Sequence, residues 1–235
     1  MRQDNRNFNQ TREVKITKNF LNKVDTSVLI EFGNTKVLCT SSYELKQPPF
    51  LLNTIKGWVT AEYAMLPMST DQRVARERGK VGGRTQEIQR LIGRSLRAVV
   101  NMEKLNKMSF TVDCDVLQAD GGTRTASITG AYISLKILFN DLIAKGILNE
   151  NPFKDSVAAI SVGIVAGNIC TDLDYSEDSK ADVDMNFVIT GSGGIVEVQG
   201  TAEAEPFSKS QLDQMYDLAE QSCNQLKEIQ SNALK

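Results

Sequence analysis

The chain has 235 residues, of which 41% are hydrophobic and 24% charged, and its formal net charge is −2 at pH 7. These values are ordinary for a soluble globular protein, and no apolar run approaches the ~18 residues of a membrane span. The polar start of the chain leads us to expect no signal peptide. Histidine is absent, which excludes Ser-His-Asp and Cys-His nucleophiles, histidine acids or bases, and histidine-bound metals.

The cysteines are widely scattered, and three of them lie in segments that alternate like strands. No two have the short spacing of a metal-binding pair, so the pattern predicts buried, reduced thiols and a cytoplasmic location. The four residues are Cys39, Cys114, Cys170 and Cys223.

Although the net charge is small, the sequence contains one basic and one acidic segment. The segment from Arg73 to Arg97 contains eight basic and two acidic residues. The segment from Asp172 to Asp184 contains six acidic residues and one basic residue. Such segments suit an anionic polymer and a divalent cation. The alternative is two charged faces that only contact water.

The first strands are predicted from alternation of apolar and polar residues. Residues 12–18 alternate, and residues 28–32 and 36–40 flank Gly33-Asn34-Thr35, a hairpin signal. Residues 58–63 predict a further strand.

An arginine-rich stretch and a helix follow. Residues 66–83 are polar and without apolar periodicity, so we predict a long loop that is either mobile or functional. Arg84 then opens a helix with an apolar face formed by Ile88, Leu91, Ile92, Leu96, Val99 and Val100. The opposite face could contact RNA, pair with acids or line a subunit interface, and it carries Arg90, Arg94 and Arg97.

The centre of the chain changes from strand to helix period. Residues 110–116 alternate, and apolar residues recur at helical spacing from Ala126 to about residue 145. Between them, Gly121-Gly122 allow a sharp turn, and Arg124 falls in the first helical turn, where free N–H groups favour an anion such as phosphate. The alternative is an ordinary turn with a surface arginine. Gly82-Gly83-Arg84 repeats this pattern, so both turns could converge on one anion.

The second half repeats the order of hairpin, strand and helix. Residues 157–165 and 169–175 predict a hairpin, and residues 184–190 and 195–199 predict two strands that follow an acidic loop. The final helix opens with a capping box and buries Leu212, Met215, Leu218, Ala219, Leu226 and Ile229. No linker divides the halves, so we predict one α+β domain over residues 1–235. The capping box that opens the final helix consists of Ser208 and Gln211.

The stretch Cys114–Gly130 resembles the signature of the bacterial RNase PH family of phosphate-dependent 3′ exoribonucleases. Similarity also covers residues 28–40, 57–67, 82–97, 172–186 and 197–207, nearly the whole chain. The resemblance implies mixed sheets covered by long helices and a cytoplasmic homohexameric ring. It further implies that phosphate removes 3′ nucleotides from tRNA precursors and releases nucleoside diphosphates.

The resemblance assigns roles to particular residues. The phosphate site corresponds to Arg84, Gly122, Thr123 and Arg124, and the catalytic carboxylate pair to Asp178 and Asp184. The loop arginines that hold tRNA correspond to Arg73 and Arg76, to which we add the neighbouring Arg78. Met68 departs from the family, which usually has arginine there.

The residue chemistry and the resemblance predict the same reaction. Arg84 and Arg124 would neutralise the attacking phosphate. Asp178 and Asp184 would hold Mg²⁺, although either could instead protonate the leaving 3′ oxygen. The rival functions are a catalytically silent subunit of an RNA-degrading ring, and a small-molecule phosphotransferase, which the lack of a Walker-type lysine disfavours.

Overall fold

The structure is a computed structural model that describes residue 2, residues 4–203 and residues 205–235. Five strands of the first half form one sheet: β1 (Val14–Lys18), β2 (Val28–Phe32), β3 (Thr35–Glu44), β4 (Trp58–Met65) and β5 (Ser109–Gln118). Their spatial order is β1-β2-β3-β5-β4. All neighbours are antiparallel except β4 and β5, which are parallel.

The second half contributes a separate antiparallel sheet. Its strands are β6 (Val157–Val165), β7 (Asn168–Thr171), β8 (Val183–Thr190) and β9 (Ile195–Ala202). They lie in the order β7-β6-β8-β9. The helices are α1 (Gly83–Val99), α2 (Thr123–Ala144), α3 (Tyr175–Asp178) and α4 (Lys209–Ala233), with short 3-10 turns at Pro49–Leu51 and Met102–Leu105.

Helix α2 lies between the two sheets and packs against β2, β3 and β6. Residues 125–135 are therefore buried on every side rather than along one stripe. Gly130 lets the helix approach β2 closely, because a Cβ there would lie 2.7 Å from Cγ2 of Ile30. One apolar core thus continues through both halves and includes Phe32, Phe110, Phe139 and Phe187.

Helices α1 and α4 are amphipathic and cover the outside of this core. Every predicted apolar residue of α1 is buried. In α4, Met215, Ala219 and Leu226 are buried, whereas Leu212, Leu218 and Ile229 are partly exposed. Gln230 is also buried and donates to the carbonyls of Thr129 and Val157, both at 3.0 Å, which ties α4 to α2 and β6.

The predicted α+β class is confirmed, and so are the hairpins and long helices. One boundary was wrong: the strand predicted over residues 169–175 ends at Thr171, because Asp172 has a left-handed φ of 53° and Asp174 caps α3. Residues 66–82, all of them described, form no helix or strand, as predicted. The four cysteines are buried and free.

Two further sequence predictions concern the chain as a whole. The single domain over residues 1–235 stays a prediction. In the described part of the chain, no helix has the length and apolar character that crossing a membrane requires.

Gly130→Ala should destabilise the fold by about 1–2 kcal/mol. The added methyl group would meet Ile30 and Cys39, and overpacking of about 1–3 kcal/mol would exceed the helix-propensity gain of about 1 kcal/mol. Urea unfolding measures the change. Gly83→Ala, where no atom lies within 4 Å of the added Cβ, is the control and should lose no stability. Equal stability of both variants would contradict the packing described for α2.

Candidate active site

The turn before α2 requires both of its glycines. Gly121 and Gly122 have left-handed φ angles of 72° and 64°. A Cβ at Gly121 would lie 2.4 Å from the carbonyl oxygen of Leu173, so the turn presses directly against the acidic segment. The carboxylate loop and the start of α2 are therefore held in contact by backbone packing.

The two long helices that begin with glycine and arginine lack a side-chain cap. Gly122 precedes α2 and Gly82 precedes α1, and neither N-terminus receives a side-chain hydrogen bond or carries an acid in its first turn. Helices α3 and α4, by contrast, have capping boxes at Asp174 and Ser208. The first N–H groups of α1 and α2 thus remain available, together with the positive helix dipole, for an anion.

A buried tyrosine supports the start of α2. The hydroxyl of Tyr63, on β4, lies 2.9 Å from Oγ1 of Thr123. Burial raises the pKa of Tyr63, while the Thr123 hydrogen bond and the positive charges of Arg84 and Arg124 oppose that rise. Both arginines therefore lie close enough to act on the same side chain beneath the glycine turn.

Two carboxylates face these arginines from the second half. Burial and the negative charge of Asp178 together raise the pKa of Asp184 to about 6, against the opposing positive charges of Arg124 and Arg84. Burial also raises the pKa of Asp178, against the same two arginines. Asp184 lies on β8 and Asp178 ends α3, so the pair combines a rigid strand with a short helical turn.

The structure thus gathers most of the predicted site residues at one place. Arg84 and Arg124 act electrostatically on both Asp178 and Asp184. The same arginines act on Tyr63, whose hydroxyl is hydrogen-bonded to Thr123. The loop arginines lie in the exposed stretch 71–80, and the positive charges with the largest effects on the pKa values of the two carboxylates come from Arg84 and Arg124 instead. The loop arginines are Arg73, Arg76 and Arg78.

Two other acids of the same segment are buried in ion pairs. Asp172 is fully buried and pairs with Arg12 at 2.7 Å. Glu177 is buried and accepts two hydrogen bonds of 2.6 Å from Arg2. The alternative of a simple solvated acidic face is therefore wrong for these residues.

Two arginines on the outer side of α1 have partners within the chain. Arg94 pairs with Glu197 at 2.6 Å. Arg97 donates to the carbonyl of Val59 at 2.9 Å and lies 4.5 Å from the ring centroid of Trp58. Of the alternatives for this face, pairing with an acid is realised for Arg94, while Arg97 packs on β4. Arg90 is exposed.

Sequence patterns did not reveal the residues that orient Arg124. Its Nη1 donates to Oε1 of Gln199 at 2.8 Å and lies 3.8 Å from Glu87. Glu87 follows Arg84 by less than one helical turn, which was a signal available in the sequence. Gln199 is 75 residues away and carries no local signal.

The carboxylate pair fits a magnesium ion. Mg²⁺ is usually held by one or two carboxylates together with water and substrate phosphates, rather than by an all-protein cage. Among the described residues there is no cluster of three or more His, Cys, Asp or Glu side chains that could form such a cage. The raised pKa values of Asp178 and Asp184 show that their ionised pair lacks full compensation, which a divalent cation would supply.

Solved structures with this fold define its class. Rice (Oryza sativa) Rrp46 matches with a TM-score of 0.79 at 17% identity, over 99% of both chains. A chain of the Archaeoglobus fulgidus exosome with RNA bound to the active site matches with a TM-score of 0.80 at 22% identity, over 97% of this chain and 91% of that one. The class is therefore the α+β fold of exosome core subunits.

Sequence comparison specifies the family within that class. Residues 10–138 match domain 1, and residues 155–222 domain 2, of the 3′ exoribonuclease family. The Ribonuclease PH of Neisseria meningitidis serogroup C is 57% identical over 225 residues, covering 95% of this chain and 93% of the relative. The chain belongs to the 3′ exoribonuclease family, and it is a phosphate-dependent 3′→5′ exoribonuclease, which confirms the predicted family and activity.

Asp184→Asn should stabilise the folded protein by about 2–3 kcal/mol above pH 6, because it removes an ionised carboxylate that the fold disfavours. The folded-state pKa is raised, so the wild type loses this stability as pH rises from about 4 to 6, and the two proteins should converge below pH 4. Urea unfolding between about pH 4 and 8 measures the difference. Asp182→Asn, exposed and two residues away, is the control substitution. A pH-independent difference for Asp184→Asn would contradict the raised pKa.

Proposed function

We propose that Arg84, Arg124 and the N–H groups following Gly122 bind the attacking phosphate. The observation that carries this proposal is the pair of uncapped, glycine-led helix N-termini whose arginines act on the same carboxylates. A guanidinium offers bidentate hydrogen bonds that match phosphate oxygens. Thr123, fixed by Tyr63, adds a hydroxyl at the base of this phosphate site.

In the proposed reaction, an oxygen of inorganic phosphate attacks the phosphorus of the last phosphodiester. The bond from that phosphorus to the 3′ oxygen of the penultimate nucleotide breaks, and this oxygen takes up a proton. The products are a nucleoside diphosphate and an RNA shorter by one nucleotide. Two anions must approach each other, so positioning and charge neutralisation by Arg84 and Arg124 are the main contributions.

Asp178 and Asp184 are the proposed ligands of Mg²⁺, which would stabilise negative charge on the scissile phosphate. Burial raises the pKa of Asp184 to about 6, so this carboxyl group retains its proton to a higher pH than an ordinary aspartic acid. The alternative role of either carboxyl group is to protonate the leaving 3′ oxygen instead of holding Mg²⁺. Replacement of Asp184 by Asn should abolish turnover even in excess Mg²⁺.

The proposed substrates are tRNA precursors and other RNA 3′ ends, and the proposed assembly is a homohexameric ring in the cytoplasm. The exposed arginines of residues 71–80 support RNA binding. The 57% identical Ribonuclease PH supports the substrate class, and the archaeal exosome core, a solved structure with a TM-score of 0.77, supports a multi-subunit assembly. Four free, buried thiols are consistent with a reducing compartment.

The decisive assay supplies purified protein with RNA, Mg²⁺ and ³²P-labelled phosphate. Phosphorolysis puts the label into nucleoside diphosphates, whereas hydrolysis releases unlabelled monophosphates. Omission of phosphate should stop the reaction, and omission of Mg²⁺ should slow it strongly. Monophosphate release without phosphate would overturn the proposed reaction, and the absence of any product would favour a silent structural subunit.

Arg124→Ala should raise the KM for phosphate about 30- to 100-fold, because charge-assisted hydrogen bonds contribute about 2–3 kcal/mol. Initial rates at varied phosphate and saturating RNA measure this effect. Lys145→Ala, exposed at the other end of α2, should leave the KM unchanged. An unaltered phosphate dependence in a folded Arg124→Ala protein would refute the phosphate-site assignment.

Replacing Arg73, Arg76 and Arg78 together by alanine should weaken tRNA-precursor binding. The salt slope of binding should also fall, by up to about 0.9 for each duplex phosphate that the variant no longer neutralises. Short unstructured oligonucleotides should be degraded almost as before, because the reacting groups lie elsewhere. Met68→Arg should tighten tRNA binding, since Met68 is exposed at the start of the same loop.

A control variant removes the same charge from another exposed surface, through alanine at Lys15, Lys18 and Lys23. It should retain the salt slope of the wild type. Equally weakened activity on tRNA precursors and on short oligonucleotides in the loop variant would show that the loop instead supports the active site.

A further inference from the structure

We infer that Gln199 is a positioning residue for phosphate binding: it orients Arg124 and holds Glu87 away from it. This inference rests on the proposed phosphate site. It adds a side chain that does not touch phosphate but determines how much of the charge on Arg124 is available to it.

The hydrogen bonds and close approaches of the three residues form a closed triangle. Oε1 of Gln199 accepts from Nη1 of Arg124 at 2.8 Å, and Nε2 of Gln199 donates to Oε1 of Glu87 at 3.0 Å. The same Glu87 oxygen lies 3.8 Å from Nη1 of Arg124, beyond hydrogen-bond distance. Gln199 thus forms hydrogen bonds with Arg124 and Glu87 at the same time.

The chemistry of the three groups suits an amide at this position. A guanidinium only donates hydrogen bonds and a carboxylate only accepts them, whereas an amide does both. Leucine would do neither, and glutamate would place a second carboxylate against Glu87. Since Nη1 of Arg124 is used by Gln199, the other guanidinium nitrogens are left for the anion.

Without Gln199, Glu87 would compete with phosphate for Arg124. Its carboxylate already forms a long ion pair with Arg124 at 3.8 Å, and a small side-chain rotation would shorten it to a direct hydrogen-bonded pair. The side chain of Arg124 retains only 16% exposure, so such a pair would be screened less than one on the surface. Phosphate would then have to displace Glu87 before binding.

The triangle also couples the two halves of the molecule. Glu87 lies on α1, which carries Arg84, and Gln199 lies on β9, which pairs with the strand that bears Asp184. A second link, from Arg94 to Glu197, joins the same helix and strand without touching Arg124. Removing the Arg94–Glu197 pair therefore weakens the contact between α1 and β9 without affecting Arg124, and it serves as the control for a purely structural effect.

The test compares variants of the full-length protein by phosphate KM, kcat at saturating phosphate, and KM for a short oligonucleotide. Gln199→Leu should raise the phosphate KM roughly tenfold, the effect of one charge-assisted hydrogen bond, with kcat and the oligonucleotide KM within about twofold. Adding Glu87→Gln should return the phosphate KM to within about threefold of wild type, because the competing charge is removed. The control Glu197→Gln should leave the phosphate KM unchanged.

A purely structural role for Gln199 predicts that the double variant is no better than Gln199→Leu, and that result would overturn the inference. So would an unchanged phosphate KM in Gln199→Leu. If Gln199→Leu fails to fold, Glu87→Gln alone decides: a lower or equal phosphate KM supports the inference and a higher one overturns it. Arg124→Ala is measured in the same series to separate the phosphate-site proposal from the Gln199 inference. If the phosphate KM rises in Arg124→Ala but not in Gln199→Leu, the phosphate site stands and only the positioning role of Gln199 is refuted.

Discussion

The buried pair of Arg12 and Asp172 is the interaction on which the active site depends. Asp172 is fully buried and accepts from the backbone N–H, Nε and Nη2 of Arg12, while Nη1 of Arg12 donates to the carbonyl of Asp120 beside the glycine turn. Buried charges are tolerated only when paired, and removing one partner of such a pair costs about 3–5 kcal/mol. One arginine therefore fixes the glycine turn against the acidic segment.

The same network reaches the two carboxylates that we propose to be catalytic. Arg2 pairs with Glu177 and also donates to the carbonyl of Asp172, and the residue after Glu177 is Asp178. The α3 turn is further held by the capping box of Asp174. These interactions hold Asp178 beside Asp184, although ionisation of the two carboxyl groups is unfavourable. The fold therefore tolerates two destabilising negative charges at the proposed active site.

The sequence predicted what depends on neighbours along the chain. Alternation and helical spacing located the strands and long helices, and the glycine–arginine turns marked the starts of α1 and α2, where the anion site stays a prediction. The end of β7 was misjudged because alternation continued past Asp172, although the Asp174-x-x-Glu177 capping pattern was present. Arg12 and Asp172, 160 residues apart, and Gln199 with Arg124 carry no local signal. Their pairing follows from sheet and helix packing alone.

The active site draws its parts from distant stretches of the chain in a fixed order. The arginines of α1 and α2 come first, Asp178 and Asp184 follow more than fifty residues later, and Gln199 on β9 is later still. During synthesis from the N-terminus, the strands and helices of the first half therefore emerge well before either carboxylate. Because one apolar core continues through both halves and Asp172 holds the glycine turn, the two arginines and the two carboxylates reach their final arrangement together, once the second sheet has been made.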